Sequence, residues 1–446
     1  MPEAPTSLLL LGAGGTTAAS AAYRRDPLAS IAAAYPVVLA DAEAPDWARP
    51  YLTDHITVDL ADTEATATAV KAYAAHHDLS GVLTYMENHV VTAALLAQQL
   101  GLPGTSPQSM EACRDKSTTR YLLDVHGVPS ARAVLADNAE AAVAWAVAHG
   151  FPVMVKPRAQ AGSAGVMRAN TPSEVRDAFE RASHETVLGL DAYGPHGVLV
   201  EEFLDGPEIS VEAAVLGPGE SRIIAVTRKT VGPPPTAQEY GHCVDARDPL
   251  LTDPELAHLI TTAVNAVGVT RGTLCIEVML TARGPRIVEI NGRIGGDLLH
   301  VLINEALGLD LARIAADIAT GARPQLAHTR ELSAAIQFLY PDQAGVVQRL
   351  TLPSQLTEQP WVERLETTAE PGAHVAAPPA ATYGDRLAHW IVRGTGPAQC
   401  ASRLSQVEGG VELHIASSTR AATQATVALT DVKALAAPST PPLAAP

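Results

Sequence analysis

A chain of 446 residues has room for about three domains, and its 47% hydrophobic content is enough to bury sizeable cores, which excludes global disorder. The formal net charge of −17 excludes nucleic-acid or anionic-membrane binding as the main business. Any polyanion bound here must therefore meet locally placed cations. Only five lysines stand against 26 arginines, and Lys116, Lys156 and Lys229 all fall in the central part of the chain. Cys113, Cys243, Cys275 and Cys400 are far apart and show no CxxC spacing, which favours small buried thiols over a zinc site or a disulfide framework. No apolar run is long enough to cross a bilayer, and Leu8–Leu11 is too short for a signal-peptide core, so a cytoplasmic protein is expected.

Ser7–Leu11, the turn Gly12-Ala13-Gly14-Gly15 and the alanine-rich stretch after it predict a strand, a glycine turn and a helix. Such a turn can approach phosphate at a helix N-terminus, and Asp41 after Val37–Ala40 is the one acidic candidate for a dinucleotide site. A purely structural turn is the other reading. Further strands at Ile56–Val58 and Val82–Thr84, with helices over Glu64–His77 and His89–Leu100, complete a small open parallel sheet ending near Gly104.

Asp115 then caps a helix from about Lys116 to His126, closed by Gly127. Val134–Leu135 is a short strand, Ala139–His149 a helix, and Pro152–Lys156 a strand that runs into the loop Pro157–Val166. Two glycines and small residues allow backbone N–H groups to wrap a phosphate, with a lysine ending the strand before them. A flexible turn is the competing reading. Strands follow at Val198–Leu204, Glu208–Leu216 and Ile223–Thr227. Pro233-Pro234-Pro235 and the polar stretch Thr236–Asp245 read as an irregular lid or substrate loop. After a helix over Glu255–Val267 come the runs Thr273–Leu280 and Arg286–Asn291, a hairpin around Thr281–Pro285.

With that turn centred on Arg283, Glu277 lies opposite Glu289. Alternation then puts Asn291 and Arg293 on the same face and Val278, Val288 and Ile290 in a core. Opposed residues on an antiparallel pair have Cβ atoms only about 4.5–5.5 Å apart, and like charges there repel. Either a cation sits between the two carboxylates or the hairpin is solvated. Carboxylate and amide oxygens are hard ligands that suit Mg²⁺ or Mn²⁺. Helices over Leu298–Gly308 and Leu311–Thr320 follow, then a mixed region at 333–418 with one helix, Pro397–Val407, and an Ala/Pro/Thr-rich end, Ala434–Pro446, expected to be disordered.

Asp115-Lys116 with Arg120, PVMVKP with its small-residue loop, VEEFLDGPEISVE, EYGH and IEVML…RIVEINGRIGGD occur in this order. Together they resemble the ATP-grasp carboxylate–amine ligases, nearest to the bacterial L-amino-acid (dipeptide) ligases, whose layout is shared with biotin carboxylase. The resemblance spans about residues 5 to 415. It implies an α/β and α+β architecture: an N-terminal open parallel α/β domain (1–105), an ATP-grasp domain (106–325) with a nucleotide lobe at about 130–205, a small C-terminal α+β domain (326–433) and the tail 434–446.

The same resemblance implies ATP and two Mg²⁺ ions, with Mn²⁺ as substitute. Lys116 and Lys156 would contact the α- and β-phosphates, and the loop Gly162, Ser163, Ala164 and Gly165 would fold over them. Glu201 and Leu204 would lie on the strand whose backbone reads adenine, and Glu208 would hold the ribose. Glu277, Glu289 and Asn291 match metal ligands, and Arg293 matches the arginine aimed at the reacting carboxylate. Glu239 would pair with an α-ammonium, while His242 would bond the acyl phosphate or assist proton removal. Gly295 and Gly296 would let amides approach a carboxylate. Lys229 either neutralises phosphate or flanks the lid, and Asp297 and His300 have no assigned counterpart. The implied reaction joins a carboxylate to an amine, amino acids being the expected pair, through an acyl phosphate, releasing ADP and phosphate; a homodimer is implied too. Two other readings stand beside it: a ligase of biotin-carboxylase or purine-biosynthesis type, and a non-catalytic ATP-binding regulator.

Overall fold

The computed structural model describes residues 6–185, 196–232 and 234–417. Pro233 and the expected disordered tail, Ala434–Pro446, lie outside them. The chain opens with a four-stranded parallel sheet, ordered Asp54–Thr57, Val37–Asp41, Ser7–Leu11, Leu79–Leu83. Leu8 to Leu11 are all fully buried, because helices cover both faces of the sheet. Leu8 and Leu10 pack on the side of helix Ala18–Ala32 and of Leu311–Ala319 from later in the chain. Leu9 and Leu11 pack against Thr63–Ala74 and Val90–Leu100. At Gly81 any Cβ would collide with the carbonyl of Ala319, so this sheet is seated tightly against the end of helix Leu311–Ala319.

Residues Ala133–Ala136, Val198–Glu202, Val153–Pro157 and Met167–Ala169 form a second, antiparallel sheet in that order. Its Val153, Val155, Val198 and Val200 face helices Ala139–His149 and Pro172–Ser183. Period-two alternation turns Met154, Lys156 and Glu201 the other way, into the cavity described below.

The largest sheet has eight antiparallel strands: Gly284–Asn291, Gly272–Thr281, Glu208–Gly217, Glu220–Val231, Glu239–Asp245, Ser333–Leu339, Ala388–Gly394 and Val362–Thr367. Helix Pro254–Ala266 covers one face, and Leu299–Leu307 with Leu311–Ala319 covers the other. The sheet runs on past residue 326, so the C-terminal region adds strands to it rather than standing apart. A three-stranded sheet of Gly345–Thr351, His374–Val375 and Glu412–Ser417 completes that region.

Two sequence expectations are corrected. The stretch Thr236–Asp245 is not an irregular lid throughout, because Glu239–Asp245 is an interior strand paired on both sides. In the hairpin, Glu277 does oppose Glu289, but the next pair is Val278 with Ile287. Val288 is therefore the extra residue of a β-bulge, lining the cavity, and Ile287 takes the fully buried position instead. The four thiols are free, with Cys113, Cys275 and Cys400 buried.

Candidate active site

A cavity of about 950 Å³ opens between the three layers, large enough for a nucleotide together with small-molecule substrates. Of the predicted residues, Lys116, Lys156, Gly162, Ser163, Ala164, Glu201, Leu204, Glu208, Lys229, Glu239, His242, Glu277, Glu289, Asn291, Arg293, Gly295 and Gly296 all line it. Gly165 does not; it closes the loop from behind, against Pro157 and Glu185.

Lys116 is the first residue of a helix capped by Asp115, whose carboxylate accepts from the Ser117 amide at 3.0 Å. Asp115 also takes a two-pronged bond from Arg158 at 2.7 and 2.6 Å, tying the helix start to the strand that carries Lys156. The Lys116 ammonium donates to the Gln160 carbonyl at 2.6 Å and pairs with Glu289 at 2.9 Å. Lys156 meets Glu201 at 2.5 Å and Arg120 meets it at 2.9 Å. Burial opposes ionisation of Glu201, but Arg120 and Lys156 outweigh it and hold the carboxyl below its ordinary range. The Glu201 side chain thus positions a lysine and an arginine, a role the sequence did not assign to it.

On the large sheet, Lys229 Nζ bonds Glu208 at 2.7 Å, Glu239 at 2.7 Å and Glu277 at 2.8 Å. One oxygen from each of those three glutamates lies within 4.8 Å of the others. Burial pushes the Glu277 carboxyl up to about 7, against the pull of Lys229. Burial opposes ionisation of Glu289 too, but Lys116 outweighs it and lowers the pKa. Four carboxylates, Glu208, Glu239, Glu277 and Glu289, thus share two ammonium groups, Lys116 and Lys229. Hard oxygen donors with excess negative charge fit a divalent cation, and buried Asn291 adds an amide oxygen on the same strand.

Strand alternation alone would place Glu239 and His242 on opposite faces. A bulge at Tyr240, where Thr230 pairs with Gly241 and Val231 with Glu239, brings both into the cavity. His242 Nε2 lies 3.5 Å from Glu239 and 3.2 Å from Asp297. Burial lowers the His242 pKa, yet the two acids outweigh it and raise it overall. Burial likewise opposes Glu239, while Lys229 and His242 hold it at about 2. Asp297 is itself clasped by Arg386 at 2.7 and 2.9 Å, and the guanidinium lies 3.7 Å from the centre of the Phe338 ring.

Arg386, Glu87 and Glu212 were missed by sequence reasoning. Glu87, from the N-terminal layer, holds Arg293 at 2.7 Å. Glu212 is fully buried and accepts from the Gly295 amide at 3.1 and 3.2 Å. A Cβ at Gly295 would overlap that carboxyl, which accounts for the glycine. Period two from Glu208 through Ser210 was the signal that could have found Glu212.

Three family profiles match in chain order: ATP-grasp N-terminal domain over residues 32–104, Carbamoyl-phosphate synthase L chain ATP binding domain over 115–327, and L-amino acid ligase C-terminal domain 2 over 337–416. The chain has the ATP-grasp architecture. It is 26% identical to the uncharacterized protein y4rH of Sinorhizobium fredii over 378 residues, 80% of this chain and 73% of that protein. It is 32% identical to human carnosine synthase 1 over 267 residues, 56% of this chain but 31% of that longer protein. The solved L-amino acid ligase from Bacillus licheniformis shares its fold at a TM-score of 0.75, with 19% identity, covering 92% of this chain and 99% of that one.

Proposed function

We propose that this ATP-grasp ligase joins an amino acid carboxylate to an amine, forming an amide by way of an acyl phosphate and releasing ADP and phosphate. The observation that carries the reading is the juxtaposition, in one cavity, of Glu277 opposite Glu289 with Lys116, Lys156 and Arg293. An amine does not attack a carboxylate usefully, because the carbon is shielded by charge and hydroxide leaves poorly. Phosphorylation of the carboxylate removes both obstacles.

Lys116 and Lys156 supply the fixed positive charge for the phosphates, and the turn Gly162–Ala164 closes over them. Glu277, Glu289 and Asn291 would hold Mg²⁺, which when bound neutralises charge developing on the transferring phosphoryl oxygens. Arg293, held by Glu87, presents its guanidinium to the reacting carboxylate. Ionised Glu239 pairs with a substrate ammonium, taking over a role now filled by Lys229. His242, whose protonated form Asp297 and Glu239 favour, donates a hydrogen bond to the acyl phosphate or, once neutral, assists proton removal from the amine. The acid–histidine pair facing the cavity favours an amino acid over bicarbonate.

The test is phosphate release from the purified chain with Mg²⁺-ATP over amino acids offered singly and in pairs, with mass spectrometry on each positive. The expected outcome is release that depends on a pair, with a product lighter than its two reactants by one water. Glu289→Gln should reduce that release by about a hundredfold or more; undiminished ligation would overturn the metal assignment.

A further inference from the structure

One wall of the cavity belongs to the N-terminal layer, and apart from Glu87 its residues have no part in the chemistry above. Gly14, Ser20, Tyr23 and Arg24 line it, all from the glycine turn and the helix after it. The turn is not arranged for a dinucleotide: its Ala13 amide donates to Asp41 at 2.8 Å, so the acid that would meet a ribose closes the turn instead. A Cβ on Gly14, whose φ is +97°, would come within 3.0 Å of Arg24 Nε and 3.2 Å of Met86 Sδ. The absent side chain is what lets the arginine lie across the turn.

Arg24 is half-buried and has weak partners: its Nη1 donates to the Tyr85 carbonyl at 3.4 Å, and its guanidinium sits 5.4 Å from the Tyr85 ring centre. Among the described residues no carboxylate pairs with it. Glu87, the acid serving this wall, is shared by Arg293 at 2.7 Å and Arg114 at 3.4 Å. Two guanidinium groups thus already occupy that carboxylate, and Arg24 has no share in it. Burial, with Arg293 adding repulsion, draws the Arg24 pKa below its ordinary range. His300, from the helix Leu299–Leu307, also lines the cavity; burial above all, with Arg364 and Arg24 adding to it, disfavours its protonation, so it brings no second charge beside Arg24.

We infer that Arg24, seated on the glycine turn, binds a substrate carboxylate other than the one being activated, and that this carboxylate belongs to the amine. The inference rests on the ligase reading. In that reading the reacting carboxylate goes to Arg293 and the phosphates to Lys116 and Lys156, which come from other elements than the N-terminal layer. A bound carboxylate would accept from the Arg24 guanidinium, giving it the ionic partner it lacks.

The test compares each active amine with its carboxamide and its decarboxylated form, in the wild-type chain and in Arg24→Gln and Arg24→Lys. Wild type should prefer the carboxylate-bearing amine by about tenfold or more. In Arg24→Gln the KM for that amine should rise by a similar factor and the preference disappear, with the KM for ATP unchanged. Arg24→Lys should recover part of it. An unchanged preference in Arg24→Gln would overturn the inference, and a preference lost instead with dicarboxylic acid donors would move the carboxylate to the acid substrate. Calorimetry of glycine, glycinamide and succinate with Mg²⁺-ADP present separates the two proposals. Carboxylate binding that Arg24→Gln abolishes, in a chain that forms no amide, would sink the ligase reading and leave the anion site standing. Equal binding of all three probes by wild type and Arg24→Gln would overturn the anion site.

Discussion

Glu212 shows what burial does to a single acid. It lies beneath Gly295, 0% exposed, and its hydrogen bonds come from that neutral amide and the Cys275 thiol rather than from a cation. Burial pushes its carboxyl up to about 7, above the ordinary 4.5. The folded state therefore holds this proton more tightly than the unfolded chain does. Stability from this group is full below about pH 4.5, is lost as pH rises toward 7, and is absent above it, a difference on the order of 3 kcal/mol. Glu212→Gln keeps one acceptor for the Gly295 amide and has nothing to ionise. Its melting temperature should fall less than that of wild type between pH 5.5 and 8, measured by calorimetry at both pH values. Parallel profiles for the two proteins would mean that Glu212 titrates normally.

At the scale of the element, residues 376–386 of the C-terminal region act on the centre through Arg386. Its clasp on Asp297 fixes a residue at φ +50°, followed by Leu298 at +60°, where the chain leaves Gly295-Gly296 and enters helix Leu299–Leu307. Arg386→Ala would leave Asp297 facing His242 without its main counter-charge. Removing one partner of a buried ion pair costs about 3–5 kcal/mol, so a large drop in melting temperature is expected, together with loss of amide formation. Arg386→Lys should restore stability better than turnover, because a lysine cannot make the two-pronged contact.

The same scale shows what could be read in advance. Helices with local signals, such as Ala139–His149 behind the Asn138 cap and Lys116–Val125 behind Asp115, were placed within a residue or two. The expected opposition of Glu277 to Glu289 is met, but through the Val288 bulge: the turn pairs Thr281 with Gly284 and is not centred on Arg283. The bulges at Val288 and Tyr240 could not be read, since one extra residue leaves no compositional trace. Glu239–Asp245 looked like a loop because its pairing partner, Ser333–Leu339, lies about ninety residues onward, and because Gly241 suggests a turn. That glycine serves a close approach instead: a Cβ there would collide with the Ile336 carbonyl. Glu87, Arg386 and Arg24 are isolated charges, and only the assembled layers bring them to one cavity.

For the whole molecule, the eight-stranded sheet makes the C-terminal region a structural part of the active-site half. A chain ending at residue 326 would lose Ser333–Leu339 and leave the strand bearing Glu239 and His242 paired on one side only, as an open sheet edge. Such a fragment should be poorly soluble and lack a cooperative melting transition, whereas a chain ending at residue 417 should match the full-length protein in both. A soluble 1–326 fragment that melts cooperatively would show that the added strands are dispensable.

That strand order also sets a timetable for synthesis. After Glu239–Asp245 is made, roughly ninety more residues must be translated before Ser333–Leu339 can pair with it. At about 5–20 residues per second the edge stands open for on the order of ten seconds. During that interval the nascent chain carries its cavity-facing strand uncovered on one side, an open edge that the completed sheet no longer presents.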